Sequence, residues 1–257
     1  MAVAIVLAGG SGSRMNSDVA KQYIKLNDRE VLYYSLYTFQ NNEHISRIIL
    51  VTRETDIEFC QKEIVERYGF DKVTDVIAGG KERYNSVYNG IVKLAEYNKC
   101  SGDDKDADTD LADDISCDDI ILIHDGARPF VTDKMIDDVI DTVKECGACT
   151  VGVPVKDTIK VVDENGFGIN TPDRKTLWQI QTPQGFRFKL IKESYDKMLK
   201  DENHNITDDT MLVEQYNGVR SRIINGAYEN IKITTPEDVE IAKIFVEKFF
   251  KNFEKIS

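Results

Sequence analysis

The stretch AVAIVLAGGSGSRM, residues 2–15, decides the fold of this chain. Its first part, Ala2–Leu7, is a continuous apolar run, which is typical of a strand buried on both faces of a parallel sheet. The run ends at Gly9 and Gly10, and a glycine-rich turn after a strand exposes backbone N–H groups that can bind phosphate. Since no basic segment precedes the run, we predict a first strand and not a signal peptide.

Short apolar runs and helical stretches alternate along the next 140 residues or so. Strands that alternate with helices of this length form right-handed crossover units, so we predict an α/β fold with a Rossmann-like, mostly parallel sheet flanked by helices. Ligands of such folds bind at the carboxyl ends of the strands. The further predicted strands are Arg47–Thr52, Val73–Ile77, Ile120–His124 and Cys149–Pro154, and the helices are Val31–Gln40, Asp56–Tyr68, Tyr84–Tyr97 and Lys134–Cys146.

The alternation ends near residue 155, where a β-hairpin is predicted around the turn formed by Asn165 and Gly166. A long hairpin cannot bury both faces on itself, so we expect residues 155–181 to protrude as a dimerisation arm that packs on a second subunit. We treat residues 1–257 as a single domain that includes this arm. The remaining predicted elements are a helix at Phe186–Leu199, short strands at Arg222–Ile224 and Asn230–Thr234, and an amphipathic closing helix at Pro236–Phe253.

The 257 residues carry a formal net charge of −12, from 33 Lys and Arg against 45 Asp and Glu. Nine Asp and one Lys lie between Ser101 and Asp119, so we predict a mobile acidic insertion at about 100–119. This segment lacks the spacing of an EF-hand calcium loop. The acidic balance argues against nucleic-acid and membrane partners. Five Cys in a chain too long to need disulfides favour free thiols and a cytoplasmic location.

The first glycine-rich turn suits a triphosphate better than a dinucleotide. It is not a Walker loop, because no Gly-Lys-Ser/Thr follows, and Met15 stands where a dinucleotide fingerprint has its third glycine. Arg14 and Lys21 follow the turn. Two cations at this place would put fixed positive charge beside phosphate oxygens.

Two further motifs follow predicted strands. GGKERYNS, residues 79–86, places a glycine pair before a helix whose first turns carry Arg83 and Ser86, which offers N–H donors to a nucleotide. HDGARP, residues 124–129, places Asp125 at the end of a strand. A carboxylate there can hold Mg²⁺ together with substrate phosphates. The nearby Arg128 can bind a second anionic substrate through two N–H groups.

Eight motifs in this order resemble the 2-C-methyl-D-erythritol 4-phosphate cytidylyltransferase family over nearly the whole chain. They are LAGGSGSRM (7–15), AKQY (20–23), GGKERYNS (79–86), HDGARPF (124–130), PVKDT (154–158), QTPQ (181–184), ITDD (206–209) and NIKIT (230–234). The resemblance implies an enzyme that joins CTP to methylerythritol 4-phosphate, releases pyrophosphate and uses Mg²⁺.

The resemblance also implies roles for individual residues. The cations that match contacts to the triphosphate and the transition state are Arg14, Lys21 and Lys232, with Arg174 as a further catalytic cation. The residues that match the CTP site are Ala8, Gly9, Gly10, Gly12, Gly79, Gly80, Arg83, Ser86 and Asp125, of which Asp125 is also the expected metal ligand. The residues that match the alcohol phosphate site are Arg128, Thr158, Arg174, Thr182 and Thr207. In the family the arm crosses to a second subunit, so Thr158 and Arg174 are expected to complete the neighbour's site in a homodimer.

Three alternatives stay open at this point. Ribitol 5-phosphate cytidylyltransferase shares the fold and the first motifs, although PVKDTIK and ITDDTMLVE in the second half resemble the methylerythritol enzymes more. An NAD-dependent oxidoreductase would need the missing third glycine. A non-catalytic nucleotide-binding regulator would not need Arg14, Lys21 and Lys232 together. Outside these motifs, we expect the Cys146 and Cys149 pair to be structural and His124 to pack or orient its turn.

Overall fold

The structure is a computed structural model that describes residues 1–10, 20–97, 115–202 and 205–250. Arg14, Gly12 and most of the predicted acidic insertion lie outside these residues. The strands are β1 (Ala2–Leu7), β2 (Lys25–Leu26), β3 (Arg29–Glu30), β4 (Ile45–Thr52), β5 (Val73–Ala78), β6 (Ile120–Asp125), β7 (Ala148–Pro154), β8 (Val161–Val162), β9 (Gly168–Asn170), β10 (Trp178–Arg187) and β11 (Arg222–Asn225). The α-helices are α1 (Val31–Asn41), α2 (Ile57–Phe59), α3 (Arg83–Ala95), α4 (Asp133–Cys146), α5 (Phe188–Met198), α6 (Asp209–Asn217) and α7 (Pro236–Phe249).

Seven strands form one sheet in the order β11-β7-β10-β6-β1-β4-β5. Strand β1 pairs parallel with β4 and β6, while β10 runs antiparallel between β6 and β7. The predicted α/β fold with a mostly parallel sheet is therefore confirmed. The carboxyl ends of β1, β4, β5, β6 and β7 lie at one edge, and the arm leaves the sheet from that edge.

The alternating side chains of β1 explain why helices cover both faces of the sheet. Ala2, Ala4 and Val6 belong to a core that includes side chains of α1, α4 and α7, whereas Val3 and Ile5 face side chains of α3, α5 and α6. All five residues are buried. Within the described part of the chain, none of the helices is long and apolar enough to span a membrane.

The stretch predicted as a strand at Asn230–Thr234 is not one, and that prediction is wrong. The N–H of Ile233 donates to the carbonyl of Ala127 at 2.9 Å. The buried side-chain amide of Asn230 donates to the carbonyl of Thr182, also at 2.9 Å. Loop contacts to the neighbouring turn, rather than a strand ladder, thus fix the segment and bring Lys232 to the end of β6.

Two predicted helices have other bounds in the structure. The stretch Asp56–Tyr68 is not one regular helix, because the π-helical segment Cys60–Glu66 follows α2. The helix predicted to begin at Phe186 begins at Phe188, because Phe186 is fully buried in β10. The closing helix α7 ends at Phe249, and the last predicted residues, 251–253, lie outside the described part of the chain.

The predicted hairpin is present as the ribbon of β8 and β9. The N–H of Asp163 donates to the carbonyl of Phe167 at 2.9 Å, and Gly166 adopts a φ of 84°. Glycine tolerates this left-handed conformation, which other residues rarely adopt. Apart from Asp163, both strands and the turn between them are exposed, so the hairpin forms without a hydrophobic core of its own within this subunit.

Candidate active site

A cleft of about 310 Å³ lies at the carboxyl edge of the sheet, where parallel α/β folds bind their ligands. The two glycine-rich turns, the first turn of α3 and the end of β6 form its walls. Predicted site residues that line it are Gly9, Gly10, Lys21, Gly80, Arg83, Ser86, Asp125 and Lys232. The cleft therefore brings together residues from five of the eight motifs.

A glutamine that the sequence reasoning missed holds the first glycine turn. The side-chain amide nitrogen of Gln22 donates to the carbonyl oxygens of Ala8, at 2.5 Å, and Gly10, at 3.3 Å. Gln22 is 1% exposed, in the short 3₁₀ helix that also carries Lys21. These two hydrogen bonds from Gln22 fix the turn beside the cleft. The signal in the sequence was the AKQY motif, of which only the lysine was given a role.

The second glycine pair, Gly79 and Gly80, packs closely against the first turns of α3. A Cβ atom on Gly79 would lie 2.6 Å from Oγ of Ser86, so any larger residue would push the helix away. The Gly80 N–H donates to the Ser86 hydroxyl at 3.1 Å, and α3 begins at Arg83. The N-terminal end of α3 thus faces the cleft, where its partial positive charge favours an anion.

Asp125 lies at the centre of a group of three cations. Its Oδ1 accepts from Nε of Arg83 at 3.2 Å, and its Oδ2 accepts from Nζ of Lys232 at 2.8 Å. The Nε of Arg128 lies 3.9 Å from Oδ2, and Nη1 of Arg128 donates to the carbonyl of Asn230 at 2.8 Å. The three cations come from different motifs and meet around one carboxylate at the end of β6.

These contacts keep Asp125 ionised. Burial alone would raise the pKa of the Asp125 carboxyl, but Arg83, Lys232 and Arg128 outweigh burial and hold that pKa well below its ordinary value. The Asp125 side chain is 11% exposed, so little water screens these interactions. The cleft therefore presents a group with excess positive charge, which suits a polyanionic ligand.

His124 orients the turn that carries Asp125 and Arg128, in agreement with the sequence-based expectation. Its Nε2 lies 3.1 Å from the carbonyl of Arg128, and its Nδ1 lies 3.0 Å from the hydroxyl of Thr182. The Arg128 carbonyl can only accept, so the proton of the ring lies on Nε2, and the Thr182 hydroxyl, which also accepts from the Asp125 N–H at 3.1 Å, donates to Nδ1. This assigns a neutral His124 protonated at Nε2. Burial lowers the pKa of His124 to about 4.

Arg83 has a second carboxylate partner, Asp209, that the sequence reasoning did not identify. Nη1 of Arg83 donates to Oδ2 of Asp209 at 2.7 Å, and the Tyr195 hydroxyl donates to Oδ1 at 2.6 Å. Burial first, and then the Asp209 charge, hold the pKa of Tyr195 well above its ordinary value, so this hydroxyl remains a donor. The ITDD motif contained the signal, but only its Thr207 was given a role.

The residues predicted to bind the alcohol phosphate are not among those that line this cleft. Thr158 and Arg174 are exposed on the arm, and Nη1 of Arg174 donates to the carbonyl of Lys156 at 2.8 Å. Thr207 is exposed just before α6. Thr182 is 4% exposed, with its hydroxyl engaged as described above. Contacts of these residues with a substrate stay predictions.

The fold and the cleft together define a class of protein. Backbone N–H groups and fixed cations at the carboxyl edge of a parallel sheet suit the phosphates of a nucleotide, and phosphate transfer requires positive charge and positioning rather than a strong base. The fold and the cleft thus define an α/β enzyme that acts on the phosphates of a nucleotide.

Comparison with known proteins names the family. The family model of 2-C-methyl-D-erythritol 4-phosphate cytidylyltransferase matches residues 2–101 and 110–248. A curated relative of that name from Lachnospira eligens is 46% identical over 248 residues, which are 96% of this chain and 100% of the relative. A second, from Clostridium botulinum strain Eklund 17B, is 44% identical over 248 residues, with the same coverage.

A solved structure supports the same assignment. The 4-diphosphocytidyl-2C-methyl-D-erythritol synthase of Anaerococcus prevotii is 31% identical, has a TM-score of 0.75 and covers 96% of each chain. This chain belongs to the 2-C-methyl-D-erythritol 4-phosphate cytidylyltransferase family. The predicted family and the predicted cytidylyltransferase class are confirmed, and membership disfavours an oxidoreductase, a regulator or a ribitol 5-phosphate enzyme.

Proposed function

We propose that this chain transfers a cytidylyl group from CTP to 2-C-methyl-D-erythritol 4-phosphate and releases pyrophosphate, a step of isoprenoid precursor synthesis. The observation that carries the proposal is the cation group around Asp125, where Arg83, Lys232 and Arg128 meet beside both glycine turns. Two anionic substrates repel each other, and fixed positive charge at this edge offsets that repulsion while it positions them.

The chemistry asks for no proton acceptor. A phosphate oxygen of the alcohol phosphate is already anionic near neutral pH, and it attacks the α-phosphorus of CTP. The new P–O bond forms as the bond from the α-phosphorus to its bridging oxygen breaks, and the electron pair leaves with pyrophosphate. The neutral His124 has both ring nitrogens engaged, which fits a role in orienting Asp125 rather than in moving a proton.

Different residues of the cleft would bind the phosphates and the cytidine end of CTP. We assign Lys21 and Lys232 to the phosphates of CTP, together with Arg14, which lies outside the described residues. Gly9 and Gly10 of the first glycine turn line the same cleft as these two lysines. Gly79, Gly80 and Ser86 would hold the cytidine end, beside the N-terminus of α3. Removal of one such donor from a transition state typically costs about 10²–10³ in rate.

Mg²⁺ fits this site if the nucleotide supplies most of its ligands. Among the described residues, no three His, Cys, Asp or Glu side chains cluster as a metal site. Mg²⁺ commonly binds through one or two carboxylates plus substrate phosphates. Both Asp125 oxygens accept a hydrogen bond, and each has a second lone pair for a metal ion. We therefore assign Asp125 as the protein ligand, where bound Mg²⁺ would neutralise phosphate charge.

We also propose that the chain works as a homodimer through its arm. The arm leaves the sheet at the same edge as the cleft and exposes apolar side chains, among them Phe167, at 73%, and Ile169, at 66%. Exposed apolar side chains in a ribbon without its own core favour burial against another chain. Thr158 and Arg174 would then reach the neighbour's cleft and bind the alcohol phosphate. The free cysteines fit a cytoplasmic location.

The test is pyrophosphate release from CTP, with methylerythritol 4-phosphate and ribitol 5-phosphate assayed in parallel. We expect release with methylerythritol 4-phosphate, no release with ribitol 5-phosphate, and loss of activity when a chelator removes Mg²⁺. Release with ribitol 5-phosphate alone would assign a different acceptor. Release with neither substrate would contradict the proposed reaction.

A further inference from the structure

Asp209 is a buried carboxylate within the charge network of the cleft. It is the first residue of α6 and is 1% exposed. A buried charge is strongly unfavourable unless it is paired and hydrogen-bonded. Asp209 meets this requirement through Arg83 at 2.7 Å and the Tyr195 hydroxyl at 2.6 Å. Its backbone N–H also donates to Oε1 of Gln184 at 3.1 Å, so the start of α6 is fixed.

Arg83 is held between two carboxylates on different elements. Its Nε donates to Asp125 at the end of β6, and its Nη1 donates to Asp209 at the start of α6. The guanidinium is a rigid planar fork, so two fixed nitrogens define the orientation of the whole group. If the Asp209 charge were absent, the same fork could turn and bind both oxygens of Asp125, where it would compete with Lys232.

We infer that Asp209 is a positioning residue for the transfer reaction: it draws one side of Arg83 away from Asp125 and thereby keeps the Asp125 carboxylate shared with Lys232. This inference rests on the proposed function. Asp209 lies two residues after Thr207, which is expected at the alcohol phosphate site, whereas Arg83 begins the helix at the nucleotide side. The Arg83–Asp209 pair therefore fixes the distance between the elements that bind the two substrates.

The test is Asp209→Asn, which keeps the size of the side chain and removes its charge. We expect kcat to fall about 10²-fold, because a misplaced group at a phosphoryl-transfer site costs about that much. The KM for methylerythritol 4-phosphate should stay within about twofold. The affinity for CTP, measured by calorimetry without the second substrate, should be unchanged or tighter, because one negative charge near a polyanion has been removed.

The matched control is Asp208→Asn on the same helix. Asp208 caps α6 through the N–H of Met211 at 2.8 Å and accepts from Nε2 of Gln184 at 3.0 Å. Asn caps helices about as well as Asp, so the Asp208→Asn variant should keep α6 folded and leave kcat near the wild-type value. Equal losses of kcat in the two variants would overturn the inference. So would weaker CTP binding in Asp209→Asn.

Two further variants separate positioning from folding. Tyr195→Phe keeps both charges and removes one hydrogen bond to Asp209, so we expect a smaller fall in kcat of the same kind. In an Arg83→Gln background, Asp209→Asn should cause little additional loss, because its effect acts through Arg83. A full additional loss in that background would overturn the inference. If the wild-type chain itself releases no pyrophosphate, the proposed function fails, and the CTP affinities still test the charge network.

Discussion

The cleft lies at the carboxyl edge of the sheet, and the arm extends from the same edge. The two regions differ in how their side chains are held. At the cleft and directly behind it, Asp125, Thr182 and Asp209 are buried and hydrogen-bonded. On the arm, Phe167 and Ile169 are more than half exposed. A single subunit thus positions the groups around Asp125 by itself and leaves the arm without a hydrophobic partner.

The comparison explains why the predicted site residues divide into two groups. Residues of the cleft are brought together by strands and helix ends of one chain, so their roles can be read from one subunit. Thr158 and Arg174 are exposed, and the Arg174 guanidinium donates to a carbonyl of its own arm. We expect their substrate contacts to form only when the arm reaches a second cleft.

Mixing two inactive variants would test this division and has the largest expected effect. Lys232→Ala damages the cleft and Arg174→Ala damages the arm, and each alone should lower kcat by about 10²–10³. In a mixed dimer, the intact cleft of one chain meets the intact arm of the other. Random exchange of subunits should therefore restore about a quarter of the wild-type activity, because half the dimers carry one complete site.

The control is a mixture of Lys232→Ala with a chain that carries both substitutions, in which no complete site can form. Activity should stay at the level of the single variants. If the mixture of Lys232→Ala and Arg174→Ala also stays inactive while the subunits exchange, the arm serves its own cleft or neither. Either result would contradict the proposed dimer.

Sequence patterns predicted the parts of this fold that depend on local periodicity. The apolar run of β1 and the Asn-Gly turn of the arm are both as expected, because strand alternation and turn chemistry are properties of adjacent residues. The segment around Lys232 was predicted as a strand, since its alternation resembles one. Its hydrogen bonds go instead to Ala127 and the Thr182 region, which no local pattern encodes.

The same limit applies to the site. The motifs identified Asp125, Arg83 and Lys232 individually, and the structure adds that Arg83 and Lys232 share the Asp125 carboxylate. Gln22 and Asp209 were missed because their functions are to hold other groups, and such roles depend on contacts between elements far apart in sequence. Long-range partners of this kind become visible only when the chain is folded.

Acid should weaken the cleft side of the molecule through His124. The pKa of His124 is lowered from 6.5 to about 4, so the folded state favours the neutral ring. Stability from this group is fully present above pH 6.5 and is lost as the pH falls towards 4, because the unfolded chain takes up a proton first. The difference between the pKa values of His124 in the unfolded and folded chain corresponds to roughly 3 kcal/mol of stability. Urea unfolding at several pH values would measure it.

His124→Asn should remove this part of the pH dependence of the free energy of unfolding. His44→Asn is the control, since the His44 ring is about half exposed and lies in neither the cleft nor the arm. The free energy of unfolding of the His44 variant should follow the wild-type curve. An unchanged slope between pH 6.5 and 4 in His124→Asn would contradict a buried, neutral His124.

The smallest expected effect comes from replacing a glycine of positive φ by alanine, either in the arm or in the rest of the domain, which we call the body. Gly166 in the arm turn and Gly69 after the π-helical segment both have positive φ, and an added Cβ would meet nothing within 4 Å at either site. Each Gly→Ala change should therefore cost about 1 kcal/mol of backbone strain and little else.

The measured effect of the two changes should differ, because the arm can unfold locally while the body unfolds only with the whole domain. Gly69→Ala strains the body, so urea unfolding should show the full loss of about 1 kcal/mol. Gly166→Ala should leave that value unchanged and instead raise amide exchange in the β8–β9 pairs about fivefold, because 1 kcal/mol changes an opening equilibrium by that factor. If Gly166→Ala lowers global stability as much as Gly69→Ala, the arm unfolds with the body, and its exposed ribbon is held by this subunit after all.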